Sequence, residues 1–204
     1  MSHGVTIDDE HRYWKGGIRI AGYSEICASM QVGKEDCEEC VRNKRHTHDG
    51  SFWTEDGRNQ GVALHYWLQF LAKGRVAGSE PEPEIAGRVE GIKKFLLDTR
   101  FEFVGGEEIQ YEPSISYACT PDIWGVIGKA KWVIDMKRGA EMKSHALQTA
   151  AQKIALAAGG FIALKRAALY LKDGDYRLIE HTDRRDEQFW RTISQAYHAK
   201  KIYV

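Results

Sequence analysis

The sequence predicts an α/β chain of the α+β kind, in a single domain. Two apolar runs of strand length read as a hairpin: one is opened by Asp122, the other passes through Trp132, Val133 and Ile134 to Lys137, and a short basic turn at 128–131 joins them. Segments 61–73, 84–98 and 145–158 space their apolar residues as helices do. The 204 residues, 43% of them hydrophobic, suffice for one domain with a substantial core, spanning 1–204 with an irregular N-terminal region over about 1–60.

Taken in order, residues 5–20 alternate weakly about Gly16-Gly17 and predict a β-hairpin turned there. Residues 23–30 predict a short helix with Ser24 near its start. Residues 31–60 are polar, with turn signals at Gly33, Asp49-Gly50 and Asp56-Gly57. Inside this stretch Cys37 and Cys40 stand in a Cys-x-x-Cys pattern, followed by His46 and His48. Two thiolates and two imidazoles can form a tetrahedral zinc site. The alternative is a turn of charged residues with two incidental thiols, since His-x-His is tighter than the histidine spacing usual in such sites.

Segment 61–73 carries Val62, Leu64, Trp67, Leu68 and Leu71 on one stripe, with Gly74 placed to end the helix and His65 just off the stripe's centre. Pro81 and Pro83 precede a second helix, 84–98, with Ile85, Val89, Ile92, Phe95 and Leu96 on one side. Residues 101–104 and 107–111 read as strands around Gly105-Gly106; Glu107 or Glu108 could place one carboxylate near a site, and a solvated strand edge is the reading preferred for them. After the hairpin, Gly139 breaks the strand and Ser144 is placed to cap a helix over 145–158. Gln148 and Gln152 share a face of that helix, and Gln148 is the one expected to face a site. Residues 166–172 and 176–181 predict a hairpin turned at Asp173-Gly174. An amphipathic helix over 186–200, with Phe189, Trp190, Ile193 and Tyr197, closes the chain.

Chemistry concentrates between Tyr117 and Lys153. Side chains alternate across a strand, so Asp135 and Lys137 share a face and Met136 takes the other. Pairing the two strands can bring Asp122 close to Asp135. Either piece alone has an ordinary explanation, a turn aspartate or a solvated edge pair. Together they do not, because the apolar run from Trp132 to Ile134 marks a buried strand, where an unpaired Asp135 or Lys137 is costly. Two carboxylates and a lysine at a strand end make a hard, oxygen-rich site suited to Mg²⁺ or Mn²⁺ and a phosphate.

These residues carry a resemblance. Pro121-Asp122, then Asp135-Met136-Lys137, then Gln148 on a helix, resembles the PD-(D/E)XK nuclease superfamily, in the branch of RecB-like and phage-type exonucleases. That branch also carries a Gly-x-x-x-His helix upstream, and Gly61 to His65 fits it. The opening segment, from Asp9 through Gly17 to Ile26, is similar to that of phage-encoded members. The resemblance touches about residues 8–155. It departs from the branch at Gln152, where a tyrosine is usual, and at Cys119, where a glycine is usual. The iron–sulphur cluster of some relatives is not expected, because no cysteine follows Cys119.

The resemblance implies a central mixed sheet flanked by helices, a restriction-endonuclease-like core. It implies a metal-dependent deoxyribonuclease, an exonuclease of phage-type DNA recombination or processing. Asp122, Asp135 and the Met136 carbonyl would hold Mg²⁺ or Mn²⁺, with His65 as a further ligand. Lys137 would position or deprotonate a water or offset charge, and Gln148 would orient water or phosphate. The implied partners are DNA and a recombination protein, and the implied place is the cytoplasm, that of a bacterial host if the chain is phage-encoded.

Composition sets bounds on this. The formal net charge is zero, so a DNA-binding surface has to be a local groove rather than an overall basic excess. Residues 1–10 hold no apolar signal region, and no run approaches the ~18 apolar residues of a membrane span. The four cysteines fit reduced or metal-bound thiols in a cytosolic setting. Two other function classes stay open: a non-catalytic nucleic-acid-binding module on the same fold, and a metal-binding protein centred on Cys37 and Cys40.

Overall fold

A computed structural model of the chain describes residues 4–30, 32 and 55–203. Cys37, Cys40, His46 and His48 lie outside the described residues. The elements begin with β1 (Val5–Ile7), β2 (Tyr13–Lys15), β3 (Ile18–Gly22) and α1 (Tyr23–Ser29). Helices α2 (Glu55–Ala72) and α3 (Pro83–Thr99) follow, then β4 (Glu102–Gly105), β5 (Gln110–Glu112) and β6 (Tyr117–Cys119). Next come β7 (Ile123–Ile127), β8 (Ala130–Lys137), α4 (Lys143–Ala158), β9 (Lys165–Lys172), β10 (Asp175–Glu180) and α5 (Arg185–Tyr203).

The strands make two five-stranded mixed sheets rather than one central sheet, ordered β1-β2-β3-β6-β5 and β10-β9-β8-β7-β4. In the second sheet β7 and β8 form the expected hairpin, Ile123 opposite Ile134, and β8 runs parallel to β9. Parallel neighbours need a crossover, and α4 supplies it. In the first sheet β2 and β3 turn at Gly16-Gly17, with φ of 55° and 79°. A two-residue hairpin loop with both positions left-handed matches the twist of its strands, and glycine adopts it without a Cβ penalty.

One face of the second sheet packs on α2 and α3. Ile123, Ile134, Met136, Leu169 and Leu171 meet Leu64 and Leu68 of α2 and Ile85, Val89, Ile92 and Phe95 of α3. These are the stripe residues that the helical spacing singles out. Each large apolar side chain buried there contributes roughly 1.5–3 kcal/mol. The other face packs on α4, which also meets β5 and β6 of the first sheet and α5. So α4 runs between the two sheets, and its Ala150, Ala151 and Ala155 are fully buried. Small side chains let both sheets approach the helix closely.

Two local expectations change. Helix α4 starts at Lys143, one residue before Ser144, and the amide of Met142 meets Nδ1 of His145 at 3.4 Å rather than a serine cap. The strand expected over 107–111 begins only at Gln110, and the two strands flanking Gly105-Gly106 lie in different sheets: β4 joins β7 and β5 joins β6. A Cβ on Gly105 would meet the Trp124 ring, and one on Gly106 would collide with the Asp122 carbonyl oxygen. The two glycines carry the chain closely over β7 and out of one sheet into the other.

Among the described residues, no helix is long and apolar enough to cross a membrane.

Candidate functional site

Three acidic or imidazole side chains converge where α2, the β4–β5 link and the start of β7 meet. Potential ligand atoms of His65, Glu107 and Asp122 all lie within 4.8 Å of one another. His65 Nδ1 is 2.9 Å from Glu107 Oε1 and 3.5 Å from Asp122 Oδ1. Asp122 is buried, His65 half-buried and Glu107 exposed, so the group opens to solvent on the Glu107 side. Helical register sets His65 here: the neighbouring Leu64 is fully buried in the core, which leaves His65 at the edge of the packed stripe.

Glu107 arrives by a strained route. Its amide N–H donates to the Pro121 carbonyl at 2.9 Å, and its φ is 52°. A non-glycine residue in the left-handed region costs free energy and persists when surrounding contacts hold it. Here the close pass of Gly106 over Asp122 and the bond to Pro121 hold it. The expectation of a solvated strand edge is therefore corrected for Glu107. Its signal in sequence was the glycine pair before it, which read only as a break between two strands.

Asp122 Oδ2 accepts the Met136 amide N–H at 2.6 Å, which ties the first strand of the hairpin to the second. Met136 faces the α2–α3 core, and the residues either side of it face α4. Asp135, 1% exposed, takes Nε2 of Gln152 on Oδ1 at 2.7 Å and lies 2.6 Å from Lys137 Nζ through Oδ2. Lys137 Nζ also donates to Gln148 Oε1 at 2.8 Å. The shared face of Asp135 and Lys137 is thus present, and Gln148 lies beside Lys137 on it. Asp135 is not part of the His65–Glu107–Asp122 group: Gln152 holds its Oδ1, and its Oδ2 meets Lys137 Nζ as an ion pair without hydrogen-bond geometry.

Gln152 is the residue that sequence reasoning left out. It is 2% exposed, because its face of α4 is turned to Asp135 of β8 rather than to the solvated side that holds Lys143, Lys153 and Ala157. Its signals were the four-residue spacing from Gln148 on an Ala-Leu-Ile helix and its departure from the tyrosine usual at that place in the branch resembled.

The electrostatics follow from burial and like charge. Burial, then the nearby Asp135 charge, push the Asp122 carboxyl up to about 7, against His65 and Lys137, which pull it down. Burial disfavours a charged His65, but Asp122 and Glu107 outweigh it and raise the imidazole to about 9. Burial likewise opposes the Lys137 ammonium, and Asp135 and Asp122 again win, holding it above its ordinary value. Burial keeps the neighbouring Cys119 thiol protonated. Without a cation, then, protons occupy this acidic pocket.

Two carboxylates and an imidazole, one side open to solvent, form a donor set that fits a divalent cation. A cation there would replace protons and relieve the repulsion that raises Asp122. Comparison of the sequence with family models and with curated proteins gives no match to either.

Proposed function

We propose that the chain is a divalent-cation-dependent deoxyribonuclease with a restriction-endonuclease-like core, acting on free DNA ends in phage-type recombination or processing. One observation carries this reading: a His65–Glu107–Asp122 donor set tied through the Met136 amide to a strand that presents an ion pair between buried Asp135 and half-buried Lys137. A structural ion pair needs no donor set beside it, and an isolated cation site needs no such lysine.

His65, Glu107 and Asp122 would hold the cation, Mg²⁺ or Mn²⁺, and the imidazole favours Mn²⁺ over Mg²⁺. When bound, such a cation polarises a phosphodiester and lowers the pKa of a bound water. Lys137 stays protonated near neutral pH, because two carboxylates stabilise its charge. It therefore serves as a cationic donor to the phosphate rather than as a base. Gln148 spends its carbonyl oxygen on Lys137, which leaves its amide N–H groups for substrate. Gln152 fixes the carboxylate plane of Asp135, and Asp135 in turn fixes Lys137.

The test is incubation with end-labelled linear DNA and with covalently closed circles, in Mn²⁺, Mg²⁺ or EDTA. Loss of label from linear DNA with a divalent ion, and none in EDTA, is expected. Full activity in EDTA, or none with any ion on any DNA, would sink the reading. Nicking of closed circles at the linear rate would overturn the preference for ends. A nucleic-acid-binding module without chemistry would bind the DNA and leave it intact.

A further inference from the structure

His145 stands in the first turn of α4, three residues before Gln148, and its Nδ1 is held from two sides. The Met142 amide N–H reaches it at 3.4 Å, and the Tyr170 hydroxyl lies 2.7 Å away. A backbone amide nitrogen only donates, so Nδ1 is an acceptor and the Tyr170 hydroxyl donates to it as well. Burial pushes that hydroxyl up to about 12, which keeps it protonated for the role. The His145 ring is neutral near neutral pH, and a neutral imidazole carries one N–H, so the proton sits on Nε2. Nε2 itself has no partner among the described residues and is not sealed from solvent.

Sheet register places this donor. Tyr170 on β9 is the partner of Lys137 on β8, and Arg177 on β10 is the partner of Tyr170. The Arg177 guanidinium braces the Tyr170 ring from 5.3 Å, and Tyr170 is 4% exposed. Lys137 meanwhile donates to Gln148 at 2.8 Å. Lys137, Gln148 and His145 thus form one cluster at the end of β8, with His145 on the β9 side. A histidine that is merely solvated needs neither a braced tyrosine nor a fixed tautomer, and ordering the ring costs conformational entropy. The result is an uncharged N–H donor beside an ammonium. It serves an anion without placing a second cation against Lys137.

We infer that His145 Nε2–H binds the phosphate next to the scissile one, with Tyr170 as the residue that positions it. This rests on the nuclease reading and adds a contact to the same site. With the scissile phosphate at Lys137 and Gln148, a strand laid across the end of the sheet carries its next phosphate over β9, about 4.8 Å on at the backbone.

The test has a spectroscopic arm and a cleavage arm. In Ca²⁺ near neutral pH, long-range ¹H–¹⁵N spectra of the parent, with His145 assigned by its loss in His145→Gln, show the Nε2–H tautomer. A short linear DNA shifts that Nε2 signal. In Mn²⁺, single-turnover cleavage is compared between unmodified DNA and strands with a methylphosphonate on either side of the scissile phosphate. On one side the modification slows the parent about tenfold or more, the worth of a hydrogen bond to a charged group. His145→Leu loses a similar factor on unmodified DNA and nothing further on the modified strand. His145→Gln, which keeps an N–H donor, recovers most of the loss. With cleavage by the parent intact, an Nδ1–H tautomer, an Nε2 signal that DNA leaves unmoved, a folded His145→Leu at the parent rate, or losses that multiply overturns the inference and leaves the nuclease reading standing. A DNA-shifted Nε2 signal with no cleavage by the parent in any divalent ion keeps the phosphate contact and ends the nuclease reading.

Discussion

Asp122 Oδ2 accepts the amide N–H of Met136 at 2.6 Å, a bond from the mouth of one strand to the backbone of the next. It holds the donor group of His65, Glu107 and Asp122 in register with Asp135 and Lys137, which flank Met136 on the same strand. Removing the Asp122 charge should separate cation binding from folding. In Asp122→Asn the buried repulsion with Asp135 disappears, so the metal-free protein should melt no lower than the parent. The parent should gain about 2.7 kcal/mol in Mn²⁺ at a hundredfold excess over its Kd, and the variant little or none. Thermal melts of both proteins with and without Mn²⁺ check this. Equal Mn²⁺ stabilisation of the two would remove Asp122 from the donor set.

Gln152 should matter more for stability than Gln148, although the sequence singles out only the second. The Gln152 bond to Asp135 is buried and made to a charge, and such bonds are worth roughly 1.5–3 kcal/mol. Gln148 is half-buried, and water can replace it. Urea unfolding should place Gln152→Leu about 2 kcal/mol below the parent and Gln148→Leu within about 1 kcal/mol of it. The reverse order would mean that Asp135 finds another donor.

The course of the chain explains which of these features could be read in advance. The helix of 84–98, the central hairpin and the shared face of Asp135 and Lys137 depend on local periodicity and stand where periodicity puts them, whereas the helix expected over 61–73 begins at Glu55, through the Asp56-Gly57 turn signal, and leaves Val62 exposed. Glu107 depends on a close backbone pass, Gly106 over the Asp122 carbonyl, which joins residues far apart in sequence and leaves no periodic trace. Gln152 depends on α4 lying between two sheets, and of the first sheet only the hairpin about Gly16-Gly17 was legible, because β5 and β6 are three residues each. A helix with a polar pair on an apolar background reads as half-solvated, and packing against β8 makes Gln152 of that pair internal while Gln148 stays half-buried.

His145 gives the fold a pH dependence away from the donor group. Burial and the nearby Lys137 charge lower its imidazole from 6.5 to about 4, and its Nδ1 lies 2.7 Å from the Tyr170 hydroxyl. The unfolded chain therefore binds more protons than the native one between pH 6.5 and 4. The stability that the neutral ring contributes is fully present above 6.5 and is lost as pH falls toward 4. Urea midpoints of the parent and His145→Gln should differ most at pH 7 and converge by pH 4.5. A difference that stays constant across this range would contradict a buried neutral imidazole.

The catalytic claim turns on Lys137. It is a cation beside the donor group and not a member of it, so Lys137→Ala should leave cation binding intact while removing charge from the reacting phosphate. Losses of this kind are on the order of 10²- to 10⁴-fold in rate. DNA affinity should fall far less, since one phosphate contact among several is a minor share of a salt-dependent total. The decisive measurement pairs single-turnover cleavage of end-labelled DNA in Mn²⁺ with DNA binding in Ca²⁺ at fixed salt, for the parent and Lys137→Ala. A rate lowered at least about a hundredfold with affinity within about tenfold is the expected result. A folded Lys137→Ala that cleaves as fast as the parent would contradict it, and the Asp122–Lys137 hairpin would not be a catalytic centre.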